Sequence, residues 1–436
     1  MTNTFLKDES QFKKKNALLV SSYQDYKEKE LCLEHLKELH LLCETFGLYP
    51  LDQMACHLRN ISSATFLSKG KLEEIKEKAH ALQADVIVFD DEITPGQQRN
   101  LEKLLEKPVI DRTEIIIGVF ADRAETKEAR LQVELAELKY QAPRLKRMWT
   151  HLSRQAGTAG GGKGGGGGYL KGEGEKQIEI DRRILKRKIA QLENEIAEVR
   201  KTRNVQRAQR EKTGIPVFAI IGYTNAGKST LLNALTGASV FVEDKLFATL
   251  DTTTRKFTLD NNQEILLIDT VGFIRKLPHH LVAAFKSTLE EALRADILIH
   301  LIDSNHKMSL EHAEVATDVL KELGAKDKPI ITVLNKIDLA SESGQISKLR
   351  LQYPKTVRIS ALKQIGFEEL KEAIKQEIKS LRQKMRLRIP QNQYHLVSEV
   401  IREGTVLSQE YDENDILMEV NLPHRLAGKL KQYERS

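Results

Sequence analysis

The sequence is poor in residues that staple or span. It has only three cysteines among 436 residues, Cys32, Cys43 and Cys56, with no C-x-x-C spacing, so neither a disulfide framework nor a zinc site is expected. No stretch approaches the ~20 apolar residues that a membrane span needs. Residues 1–11 carry Asp8 and Glu9 and no apolar core, so no export signal is expected either. The simplest reading of these absences is a reduced, cytoplasmic protein.

What is present is unevenly spread. The formal net charge is +6, and residues 181–212 alone hold eleven Lys/Arg against five Asp/Glu, the same net +6. Residues 157–174 hold eleven of the 25 glycines. At this length two to four domains are expected.

Residues 16–122 alternate short apolar runs with amphipathic stretches: 17–20, a helical pattern through 31–46, then 85–89, 101–105 and 109–111. That alternation predicts a small α/β unit over 1–122 with nothing catalytic in it. Two heptad-like seams follow, Leu131, Leu135, Leu138, Ala142 and Leu145, then Leu185, Ile189, Leu192, Ile196 and Val199. They predict a helical hairpin over 123–212. The glycine tract 157–174 becomes a flexible loop at its tip, which is a spacer by default. Its flanks offer a second reading. Arg144, Lys146, Arg147, Trp149, Arg154, Lys163, Lys171, Arg182 and Arg183 surround a backbone with few side chains, which can conform to RNA, the tryptophan stacking on a base. Helix packing is the plainer role for Trp149.

An apolar run at 217–221 leads into Gly222-Tyr223-Thr224-Asn225-Ala226-Gly227-Lys228-Ser229 and a helical stretch at 230–235. This is the strand, phosphate loop and helix that G-x-x-x-x-G-K-[ST] requires. Successive N–H groups turn toward phosphates at a helix N-terminus, Lys228 reaches the terminal phosphates and Ser229 ligates Mg²⁺. An Asn261-Asn262 turn opens a hairpin whose second strand, 264–268, ends in Asp269-Thr270-Val271-Gly272. Asp269 is placed to hold the magnesium shell, and the Gly272 N–H to reach a γ-phosphate. Thr249 is the expected second metal ligand, with Thr252, Thr253 and Thr254 competing for that role.

Strands expected at 297–303 and 330–334 lead to Asn335-Lys336-Ile337-Asp338. A carboxylate at Asp338 accepts from the ring N–H and exocyclic amine of guanine, a pair that adenine lacks. Asn335 assists, and the Lys336 stem covers the base. The backbone of Ser360-Ala361-Leu362 can meet the guanine carbonyl. Together these motifs predict a GTP-binding and GTP-hydrolysing domain over 213–378. Where many small GTPases carry a water-orienting Gln, this chain has Phe273, so slow intrinsic hydrolysis is expected and no catalytic base is assigned. Arg255 and Arg275 lie near these segments and could act as internal charge donors, although surface arginines are the commoner case. Beyond 385 a β-α-β-β-α order predicts a small α+β domain over 385–436.

The chain is therefore read as an α/β multidomain protein, its P-loop GTPase domain built on a mostly parallel sheet. The combination Phe247-Ala248-Thr249-Leu250-Asp251, Asp269-Thr270-Val271-Gly272-Phe273 and Asn335-Lys336-Ile337-Asp338 resembles the HflX family of ribosome-associated GTPases. So do Val109-Ile110-Asp111-Arg112-Thr113-Glu114-Ile115, Gln132-Val133-Glu134-Leu135-Ala136, Tyr140, Pro143-Arg144-Leu145 and Ile180-Asp181-Arg182-Arg183. The glycine tract departs from the family pattern, being longer and ending in Lys171-Gly172-Glu173-Gly174-Glu175. The resemblance implies binding of GTP or GDP with Mg²⁺, a large ribosomal subunit as partner, and help in separating ribosomal subunits. It implies no small-molecule substrate besides GTP and water. Two other readings stand beside it. One is a nucleotide-switched signalling or membrane-recruited GTPase. The other is an RNA-remodelling ATPase, for which Gly162-Lys163-Gly164 is a poor second phosphate loop because no Ser or Thr follows the lysine.

Overall fold

A computed structural model describes residues 14–144, 169–211, 215–238, 246–248, 250–278, 281, 291, 293–325, 328–339, 344–353, 355–412 and 414–435, with backbone only at 169–178, 204–211, 344–345, 403 and 423–425. The chain divides into two compact units. The first comprises Met1–Lys201, Phe241–Thr252 and Val271–Glu290; the second comprises Thr202–Val240, Thr253–Thr270 and Glu291–Ser436.

The first unit holds β1 (Asn16–Tyr23), α1 (Lys29–Phe46), β2 (Tyr49–His57), α2 (Lys69–Ala81), β3 (Val86–Phe89), α3 (Pro95–Leu105), β4 (Val109–Asp111), α4 (Arg112–Arg123) and α5 (Lys127–Gln141). Its four strands are parallel, in the order β2-β1-β3-β4. Strands covered on both faces read as unbroken apolar runs, and β3, Val-Ile-Val-Phe, is buried at every residue. Close packing between α1 and α4 depends on Gly118, where a Cβ would lie 2.2 Å from the Phe46 ring. The three cysteines are buried free thiols, and burial pushes Cys56 up to about 11.

A long helix, α6 (Tyr169–Glu211), follows. It takes in residues 169–174, which the sequence reading gave to the glycine-rich loop; residues 157–168 of that loop lie outside the described residues. Among the seam residues, Leu131, Leu135 and Leu138 of α5 pack with Leu185, Leu192 and Ile196 of α6, flanked by Ile189 and Val199.

In the second unit, β5 (Val217–Gly222), β6 (Thr253–Thr258), β7 (Glu264–Asp269), β8 (Ile297–Asp303), β9 (Ile330–Asn335) and β10 (Thr356–Arg358) form a sheet in the order β10-β9-β8-β5-β7-β6. Only the β6–β7 pairing is antiparallel, and Asn262 in its turn takes the left-handed φ of 58°. The core of this sheet includes Phe218, Ile220, Leu267, Ile299 and Val333. A second sheet of β11 (Arg382–Pro390), β12 (Thr405–Asp412) and β13 (Asp415–Pro423) is antiparallel in the order β11-β13-β12. Its core includes Leu387, Met418 and Val420 with Val397 and Leu426 from the helices Tyr394–Glu403 and His424–Leu430, which gives the expected β-α-β-β-α order.

Candidate functional site

The second unit has its crevice where its sheet topology reverses. β5 lies between β7 and β8, so the chain continues to one side through β7 and to the other through β8. The carboxyl end of such a strand is where open α/β sheets take ligands. Gly222 closes β5 at φ 152°, and a Cβ there would meet the Leu301 carbonyl oxygen at 2.2 Å. Asn225 and Gly227 also take positive φ, 59° and 94°. Such a left-handed turn points amide groups inward, and the helix α7 (Lys228–Thr236) begins immediately after it, adding the positive end of its dipole.

Lys228 is buried against this loop, its Nζ donating to the Tyr223 carbonyl at 2.8 Å and the Gly222 carbonyl at 3.4 Å. Burial pushes it down to about 8, with Asp269 acting in the opposite direction. The Ser229 hydroxyl donates to the Asp269 carboxylate at 2.5 Å, and the neighbouring Thr270 hydroxyl donates to the Ile220 carbonyl at 2.7 Å, tying the end of β7 to β5. The sequence motif thus becomes a cationic, hydrogen-bond-rich cradle with one hydroxyl and one carboxylate at its edge.

Asn335 joins this cradle to the base-recognition loops. Its Nδ2 donates to the Ala226 carbonyl at 2.8 Å and its Oδ1 accepts from the Ala361 backbone N–H at 2.9 Å. Sequence reasoning had this amide assisting base recognition; the structure gives it the work of a clamp. Lys336, at φ 61°, pairs with Asp303 at 2.7 Å. Asp338 is held below the usual carboxylate range, first by a hydrogen bond from Ser360, with Lys363 contributing. Ile337 donates its N–H to Ile359. Ser360 and Ala361 are buried while Leu362 is exposed. Phosphate loop, Asp269-Thr270, Asn335–Asp338 and Ser360–Leu362 therefore come together in one unit.

The remaining predicted nucleotide residues belong to the first unit. Phe247, with a positive φ of 55°, is buried edge-on against Phe120 of α4, ring centroids 4.6 Å apart. Leu250 is buried and Ala248 half-buried. The Asp251 carboxylate accepts from the backbone N–H of Glu125 and of Thr126, each at 3.1 Å, and from the Thr126 hydroxyl at 2.5 Å. The side chains of Phe247, Leu250 and Asp251 are thus occupied in packing and capping. Thr249 lies outside the described residues. Val271, Phe273 and Ile274 are buried.

Arg275 corrects the reading of a surface arginine: it is 8% exposed and donates from Nη2 to Asp90 at 2.7 Å. Arg255 is exposed, as expected, with Nη1 on the Thr254 carbonyl. Asp90, the carboxylate that Arg275 meets, was not singled out in the sequence, because an acid after an apolar strand carries no local signature.

Among the proposed RNA contacts, Arg144 is corrected. It is buried beneath the first unit's surface, its guanidinium 3.6 Å over the Tyr140 ring and donating to the Ile93 and Tyr140 carbonyls, to Gln98 and to Asp111. Its charge is spent in the core. Arg182 and Arg183 are exposed on α6. Lys146, Arg147, Trp149, Arg154 and Lys163 lie outside the described residues, and Lys171 is described in its helical backbone alone.

Three family models match along the chain: "GTP-binding GTPase N-terminal" at 33–121, "GTP-binding GTPase Middle Region" at 123–210 and "50S ribosome-binding GTPase" at 217–336. GTPase HflX of Chlamydia pneumoniae is 46% identical over 418 residues, 96% of this chain and 88% of the relative. GTPase HflX of Escherichia coli (strain K12) is 39% identical over 394 residues, 90% of each chain. Among solved structures, a GTP-binding protein from Sulfolobus solfataricus in complex with GDP is 26% identical, with 84% of this chain and 99% of that one covered at a TM-score of 0.42. On these identities the chain belongs to the GTPase HflX family, P-loop GTPases that hydrolyse GTP.

Proposed function

We propose that this GTPase binds the large ribosomal subunit and promotes separation of ribosomal subunits, its hydrolysis of GTP accelerated by that contact. The observation that carries this reading is the match of residues 217–336 to the 50S ribosome-binding GTPase model. The basic run at 181–212, with Arg182 and Arg183 exposed, supplies charge suited to ribosomal RNA. In this reading residues 1–122, 123–212, 213–378 and 385–436 act as separate domains in a cytoplasmic protein.

Within the site, the loop amides of residues 222–229 and Lys228 receive the phosphates, and Asp338 with the backbone of Ser360, Ala361 and Leu362 selects guanine. The hydroxyl–carboxylate pair of Ser229 and Asp269 fits Mg²⁺, a hard cation that takes its remaining ligands from phosphate and water rather than from an all-protein cage. When bound, the metal neutralises charge developing on the transferred phosphoryl group. Thr249 is the proposed second protein ligand. Gly272 offers its N–H to the γ-phosphate. With Phe273 buried, no side chain at that position orients the attacking water, so the chain hydrolyses GTP slowly until a partner completes the site.

The test measures GTP turnover with and without purified large subunits, together with co-sedimentation on subunits and on liposomes. Stimulation and co-sedimentation with subunits are expected. Unchanged turnover, or sedimentation with liposomes alone, overturns the proposal in favour of a membrane-recruited switch.

A further inference from the structure

The four-stranded sheet of the first unit has a switch point of its own. β1 lies between β2 and β3, so the crevice outside the carboxyl ends of β1 and β3 is where a sheet of this order would take a ligand. The residues there are Ser21 and Ser22 at the end of β1 and Asp90 and Asp91 just past β3. Both acids face the crevice: the Ser21 hydroxyl donates to Asp90 at 3.4 Å and the Ser22 hydroxyl to Asp91 at 2.8 Å.

The crevice is filled by the chain itself. Arg275 donates to one Asp90 oxygen at 2.7 Å. Lys276 reaches the same oxygen at 3.2 Å, the Asp90 carbonyl at 3.4 Å and Asp91 at 2.6 Å. From beneath, Arg112 donates to the other Asp90 oxygen at 2.8 Å, to Glu38, and through Nε to the Arg275 carbonyl at 3.2 Å. Three cations thus meet three carboxylates, and Asp90 and Arg112 are almost wholly buried. Burial opposes the Asp90 charge, but Arg112, Arg275 and Lys276 together hold its carboxyl well below the usual range. Removing one partner from such a set strands the others, so the segment is fixed in position and backbone direction together.

That segment is not an arbitrary one. Arg275 stands three residues after Gly272, in the run that continues Asp269-Thr270 from the end of β7. Catalysis of phosphoryl transfer is mainly positioning, and a loop end free to wander seldom presents its groups in the productive geometry. We propose that Arg275 is a positioning residue for GTP hydrolysis, held by Asp90 and Arg112 in the switch-point crevice of the amino-terminal sheet. The sheet uses for an internal side chain the place where its relatives in topology take a ligand.

The test compares kcat for GTP, GDP affinity and melting temperature in the full chain for Asp90→Asn, Arg275→Met, their double variant and Arg275→Lys. Each single change is expected to lower kcat at least about fivefold while GDP affinity stays within about twofold, because the phosphate and base contacts are untouched. The double variant is expected to fall no further, since both changes break one link, and Arg275→Lys to recover part of the rate. Should Asp90→Asn not fold, Lys276→Met, at a side chain 40% exposed, replaces it with a fall of about threefold or more. A kcat within about twofold of the parent in every folded variant, a kcat above the parent, or GDP affinity falling in step with kcat overturns the proposal.

Discussion

The side-chain amide of Asn335 reaches across to the Ala226 carbonyl at 2.8 Å, spanning 109 residues of sequence to hold the phosphate loop. With its other end on the Ala361 N–H, one buried residue sets the distance between the phosphate cradle and the base-recognition loop. Asn335→Ala leaves both of those backbone groups without their partner, at about 1–3 kcal/mol each when buried. Nucleotide affinity is expected to fall at least about tenfold for GTP and GDP alike, read by titration with a fluorescent nucleotide. An unchanged affinity would remove the clamp from the account.

Asp338 offers a test of base choice. Its carboxylate presents acceptors only, matched to the two donors of guanine, whereas an amide presents one acceptor and one donor. Asp338→Asn should lose GTP affinity by about a hundredfold or more and gain affinity for xanthosine triphosphate, whose carbonyl replaces the exocyclic amine. Competition binding with the two nucleotides decides it.

Lys228 ties binding to pH. Burial sets it to about 8 without nucleotide, and phosphate oxygens favour its charged form, raising that value in the complex. Binding therefore takes up a proton above about pH 8. Affinity for GDP should be flat below that pH and fall toward tenfold per unit above it, a slope that Lys228→Met abolishes along with most of the affinity.

Glu137 in α5 bears on stability rather than binding. It is 3% exposed, and burial pushes it up to about 7, with Gln141 donating to it at 2.8 Å. Between its ordinary value of 4.5 and about 7, the folded chain keeps a proton that the unfolded chain has released. Stability thus falls as the pH rises through that window, and the loss is complete above it. Glu137→Gln should stabilise the protein by about 1–3 kcal/mol at pH 8 and by little at pH 4, as measured by thermal melts at both.

The nucleotide half was legible because its signals are local. Glycines at forced backbone positions, a lysine and serine at fixed spacing, and a β-branched strand before each loop can be read without knowing the fold. The α5–α6 seam followed from periodicity for the same reason. β2 (Tyr49–His57) went unread because it is an edge strand carrying Pro50 and Asp52, with only Cys56 buried, so no alternation marks it. Arg144 and Arg275 were misjudged by a rule of composition, that arginines face water. Their partners, Asp111 at 33 residues away and Asp90 at 185, exist only once the strands are ordered. Long-range ion pairs in a core leave no trace in spacing.

The carboxylate of Asp251 occupies the backbone N–H groups of Glu125 and Thr126 at the start of α5. Any displacement of the stretch around Asp251 must hand those two N–H groups to water, at the roughly 1 kcal/mol that a lost cap costs. Glu125 and Thr126 therefore act as a resident gauge. Their hydrogen–deuterium exchange rates, followed through nucleotide binding and turnover, would report the stretch's movements from two amide protons that take no part in the chemistry.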